Sequence, residues 1–110
     1  MEDLKLRVGS VIVDVVTAKF GDESQFGEAE LHPSAVIKID DRVVRSREQA
    51  LTLIHELLHI ISELYGLGLT EQQVLILEQA LTAVAIDNQK ECREWLLAVQ
   101  GLKMPYSAFK

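Results

Sequence analysis

Midway along the chain an apolar run, Leu51-Thr52-Leu53-Ile54-His55-Glu56-Leu57-Leu58-His59-Ile60-Ile61, takes in two histidines and a glutamate. Residues four apart on a helix stack on one face, so His55 and His59 can reach a common point while Glu56 sits on the flank. A charged carboxylate between two imidazoles is costly inside an apolar helix unless a metal or a pairing partner meets it. HExxH on a helix is also the spacing that offers two nitrogen ligands to one zinc ion, with a base beside them.

With 110 residues and 48% hydrophobic content, the chain suits one small domain, 1–110, with a modest core. Seventeen acidic residues against 11 basic ones give a formal charge of −6, which repels phosphate backbones and argues against a nucleic-acid partner. The lone Cys92 has no partner for an intramolecular disulfide and reads as a packing residue in a reducing compartment. Met1 to Lys5 lacks the basic and apolar regions of a secretory signal, so a cytoplasmic protein is expected. Val74 to Ile86 is strongly apolar but too short to span a bilayer, which predicts a buried helix and no membrane partner.

Residues 4–40 read mainly as strands. Leu4 to Arg7 and Val11 to Thr17 are rich in β-branched residues and flank Gly9-Ser10, a pair suited to a tight hairpin. A helix is the competing reading, disfavoured because β-branched side chains lose rotamer freedom there. Phe26 to His32 and Ala35 to Ile39 give two more short strands across Pro33-Ser34, and Asp40-Asp41-Arg42 is a turn. Ser46 with Gln49 forms a capping box opening a helix over 46–65, ended by Gly66 and Gly68. Thr70 with Gln73 repeats the box for a helix over 70–87, which the short link should pack antiparallel to the first. A third helix is expected over Asn88 to Val99, with Asn88 and Glu91 at its cap and an aperiodic tail behind it within 88–110. The fold class is thus α+β, a small antiparallel β-sheet packed against a helix pair.

Catalytic zinc usually keeps three protein ligands and one open position, so a third donor is needed. Helix rise puts His59 about 9 Å and His55 about 15 Å below Tyr65, while Glu78 lies about 12 Å beyond Thr70. Glu78 is therefore level with both histidines. Glu71, about 1.5 Å into its helix, and Glu63, one turn too high, are poorer candidates. Thr82 is placed to orient His55, although many threonines bond only their own helix carbonyls. In such a site zinc lowers the pKa of a water towards ~7 and Glu56 takes its proton. Tyr65, Tyr106 and His32 are the available oxyanion donors, and Ala35 to Ile39, if at a sheet edge, can align an extended peptide.

These residues resemble the HExxH zincins, and among them the gluzincin type, whose third ligand is a glutamate on a following helix. The span from Leu4 to Asn88 looks like the minimal zincin-like proteins of phages and other mobile elements. The resemblance implies a zinc metallopeptidase acting on a protein or peptide, with Zn2+ held by His55, His59 and Glu78 and with Glu56 as general base. Ser62 and Tyr65 stand where HExxHxxGxxH would need glycine and histidine, which excludes the metzincin branch. Larger gluzincins carry ExxxD around the third ligand, whereas this chain reads Glu78-Gln79-Ala80-Leu81-Thr82. The alternatives are a zinc-stabilised binding or structural module without useful turnover and a metal-free interaction domain. Trp95, Leu96, Leu97 and Val99 read most simply as core or as a dimer contact.

Overall fold

A computed structural model describes residues 4–22, 24–43 and 46–102. Two strands, β1 (Leu4–Val8) and β2 (Val11–Ala18), form the expected hairpin, closing at Val8 opposite Val11. Gly9 takes φ 59°, a left-handed conformation that costs glycine nothing. A Cβ there would also stand 2.6 Å from the Tyr65 hydroxyl, so the turn is pressed under the end of the first helix.

β3 (Gly27–Glu30) and β4 (Val36–Asp40) pair antiparallel, but β4 then lies parallel to β2. The sheet order is β1-β2-β4-β3, so the sheet is mixed rather than purely antiparallel as expected. The cause is the segment after Ala18, which carries the chain past the place of β4 and lays β3 on the far edge. Ala35 to Ile39, which could align a peptide only if it lay at an edge, is internal, and β3 is the edge strand on that side.

Asp40 holds this crossover. Only 1% exposed, its carboxylate accepts from the Phe20 N–H (2.9 Å), the Arg42 N–H (2.8 Å) and the Arg42 guanidinium (2.8 Å). The same guanidinium donates to the carbonyls of Asp22 (2.9 Å) and Gln25 (2.8 Å) and lies over the Phe26 ring. One side-chain pair thus ties the end of β2, the crossover loop and the end of β4. What reads in sequence as a polar turn is a buried clasp.

Three helices follow: α1 (Ser46–Leu64), α2 (Glu71–Asp87) and α3 (Gln89–Val99). Leu53, Leu57, Ile60 and Leu64 of α1 recur at helical spacing and pack on Val13, Val15, Ile37 and Ile39 from the alternating inner face of β2 and β4. The Ser46 side chain and residues 103–110 lie outside the described residues, so the first capping box and the tail stay expectations. Gln49 donates to the Val43 carbonyl at 2.9 Å. At α2 the predicted box is formed: Thr70 Oγ1 accepts from the Gln73 N–H and Gln73 Oε1 from the Thr70 N–H. At α3 it is not, because the Asn88 amide donates back to the Val84 carbonyl at 3.0 Å.

Val74 is the only buried residue of α2, which overturns the expected buried helix. α1 covers one side of α2, and no sheet lies against the rest. No helix among the described residues is long and apolar enough to cross a membrane.

Arg42 beside Asp40, with the backbone donors, lowers the Asp40 pKa from 3.8 to about 2. A depressed carboxylate adds stability above its unfolded pKa and loses it as pH falls towards the folded value. Asp40→Asn should therefore melt several degrees below the parent at pH 6, and the gap should close between pH 4 and 2. Thermal melts by circular dichroism across that range test it, and a gap independent of pH would contradict the assignment.

Candidate metal centre

The apolar stripe of α1 fixes where its polar residues point. With Leu53, Leu57 and Ile60 on the sheet, His55 and His59 turn towards α2 and Glu56 towards β3. The two imidazole rings lie edge to face with centroids 5.0 Å apart. Glu71 reaches across from the first turn of α2. Its Oε1 is 2.6 Å from His55 Nε2 and its Oε2 is 2.9 Å from His59 Nε2. His55, His59 and Glu71 bring one ligand atom each to within 4.8 Å of one another, a candidate metal site of two nitrogens and one oxygen.

Glu78, expected as the third donor, is also brought to the pair but engages the other side of the ring. Its Oε1 lies 2.9 Å from His55 Nδ1. The two nitrogens of an imidazole point away from each other, so a carboxylate on Nδ1 cannot share an ion held by Nε2. Glu78 is thereby placed to orient the His55 ring, the part expected of Thr82. The two carboxylates also differ in freedom: the Glu78 side chain is 16% exposed and that of Glu71 61%.

Glu71 outranks the sequence reckoning because of the link between the helices. The Leu67 N–H donates to the Ser62 carbonyl (2.8 Å) and the Leu69 N–H to Ser62 Oγ (2.9 Å). Gly66 and Gly68, at φ 66° and 64°, allow that path. The link is pinned one turn below Tyr65, about 4.5 Å closer to the histidines than a reckoning from the helix end assumes. A link folded back in this way is consistent with Glu71 lying within reach of both histidines and Glu78 beside His55.

Glu56 is 8% exposed and faces the cleft between α1 and β3. Burial raises its pKa, partly offset by His55 and His59, while Glu71 and Glu28 push the same way as burial. Gly27 allows the approach of β3, since a Cβ there would stand 2.7 Å from Thr52 Cγ2 and 2.9 Å from Glu56 Oε2. Sequence reading gave Gly27 no role; a glycine opening a short strand is the available signal of a close backbone approach.

The donors fit a borderline divalent cation. With bonds of about 2.0–2.1 Å, tetrahedral ligands stand about 3.3 Å apart, so donor atoms that already lie within 4.8 Å of one another reach that geometry by small side-chain shifts. A proton or a cation has to lie between lone pairs held this close. The cleft in front, about 1070 Å³, runs along β3 from Ser24 to Ala29 and leaves the site open on one side. Of the expected oxyanion donors, Tyr65 packs at the Gly9 turn and His32 is exposed; neither lines the cleft, and Tyr106 lies outside the described residues.

Compared with protein-family models, curated proteins and solved structures, the chain matches none. Its own geometry carries the functional reading.

Gly27→Ala should cost about 1–3 kcal/mol, the usual penalty for overpacking. Trimming the methyl that the new Cβ meets, in Gly27→Ala/Thr52→Ser, should recover part of it. Chemical denaturation of the single and double variants measures both, and a neutral Gly27→Ala would show that β3 is not pressed on α1.

Proposed function

We propose that the chain is a single-domain zinc-dependent metallopeptidase of the HExxH type. The observation that carries this reading is the convergence of His55, His59 and Glu71 beside a buried, cleft-facing Glu56. His55 and His59 would hold zinc through Nε2, with Glu71 as third donor and Glu78 fixing the His55 ring. Bound there, zinc supplies Lewis acidity, polarising a carbonyl and acidifying a water.

The remaining steps belong to the chain. Glu56, its pKa raised by burial, accepts a proton from the attacking water and returns it to the leaving amine. Water first adds to the carbonyl carbon, and the amide C–N bond breaks as that proton reaches the nitrogen, so the proton balance closes on one carboxylate. β3, with one edge unpaired, can align an extended substrate by main-chain pairing beside Glu56. The open cleft admits a segment of a protein or peptide rather than enclosing a small molecule. Phage or mobile-element association rests on the resemblance alone.

A second reading is favoured by the absence of Tyr65 and His32 from the cleft: a zinc-stabilised binding module with little turnover. The two separate cleanly. Elemental analysis should find one zinc per chain, and an unfolded protein substrate should be cut by the parent but not by Glu56→Gln, which keeps its metal. Stoichiometric zinc without any cleavage would select the module, and no zinc would remove both readings.

Because only the native state presents the joined donors, zinc should raise the melting temperature, and a chelator should reverse the gain. His55→Ala and His59→Ala should abolish the shift and Glu71→Gln should reduce it. Glu78→Gln should weaken zinc affinity by ~10–100-fold, the range seen when a ligand loses its supporting hydrogen bond. Loss of zinc in Glu78→Gln with full retention in Glu71→Gln would exchange the roles of the two carboxylates.

A further inference from the structure

The far half of α2 and all of α3 are built for burial they do not receive within one chain. From Gln79 to Ile86 α2 carries no charge, and Leu81, Ala83, Val84 and Ile86 point in four directions at 100° per residue. A helix apolar on all sides belongs in an interior. α3 adds a stripe at helical spacing, Cys92, Trp95, Leu96 and Val99, yet none of its residues is buried. α2 is the element α3 packs on, and eleven residues are too few for a helix to hold without tertiary support.

We propose that this α2–α3 face is where two copies of the chain associate. Leu81, Val84, Ile86, Trp95, Leu96 and Leu97 are each 48–65% exposed. Together they expose roughly 650 Å², distributed around both helices rather than in one flat patch, close to the ~600–800 Å² each partner gives a stable interface when helices are packed on more than one side. Charge selects the occupant. The chain as a whole carries −6, yet around this face Asp87, Glu91 and Glu94 stand against Lys90 and Arg93. Two copies can meet here without the repulsion that their remaining surfaces would impose. An anionic lipid surface would need a basic cluster, which the face lacks. An isologous pairing needs only an apolar patch that meets itself.

Trp95 is the single tryptophan, so its emission reports on this face alone. Sedimentation velocity should show a mass near twice 12.3 kDa at high concentration, with Trp95 emission shifting to the blue as the dimer forms. Val84→Glu and Leu96→Glu, one on each helix, should remain monomeric with red-shifted emission and retain zinc binding. If both variants fail to fold, the concentration dependence of the parent still decides. A parent monomeric at several hundred micromolar overturns the proposal. So does a monomer whose Trp95 is already blue-shifted, which would point to residues 103–110 as the cover, or one that shifts only with lipid vesicles.

Discussion

The rotational phase of α1 is the constraint on which the rest of the structure depends. Leu53, Leu57, Ile60 and Leu64 can meet Val13, Val15, Ile37 and Ile39 in only one orientation of the helix. Each buried aliphatic side chain stabilises by ~1.5–3 kcal/mol, so a slip of 100° would forfeit several such contributions. Once that face is down, His55 and His59 must look towards α2 and Glu56 towards β3. The polar triad is therefore placed by its apolar neighbours. Its own interactions, between a carboxylate 61% exposed and two imidazoles, are too well screened to orient a helix.

This explains why so much was legible in sequence. The helices, the hairpin at Gly9-Ser10 and the pairing of α1 with α2 follow from periodicity, turn chemistry and capping, all encoded locally. The Thr70 and Gln73 box is present as read. What stayed illegible depends on contacts distant in sequence. The parallel register of β2 with β4 follows from where the crossover lands, and that is settled by Arg42 reaching back to Asp22 and Gln25. Nothing near Arg42 announces those partners. The same long-range clasp makes β3 the edge strand and leaves Ala35 to Ile39 internal.

The carboxylate roles show the limit of reckoning by helix rise. Counting from helix ends treats a link as a fixed spacer, but this one folds back onto Ser62, whose carbonyl and hydroxyl accept from Leu67 and Leu69. A small difference of this kind separates a carboxylate on Nε2 of both histidines, Glu71, from one on Nδ1, Glu78. Glu78 lies level with His55 as expected but on Nδ1, because a ring nitrogen has a direction as well as a position. A search by depth alone finds the residue and misses the atom. Ser62, read only as a departure from another motif, is the residue that decides it.

α2 brings these threads together, since it carries both carboxylates and has the least covered surface of the long elements. Its grip on the body is concentrated near Val74, its only buried residue, and the contacts of Glu71 and Glu78 lie in the same first half. An ion joining α1 to Glu71 would act where α2 is already held. A second copy on the far half would act where it is not. Because both would bind α2 only in its native placement, each would add to the stability of that placement. On those two proposals, the apolarity of residues 80–86 would anchor from one end a helix whose carboxylates face α1 from the other.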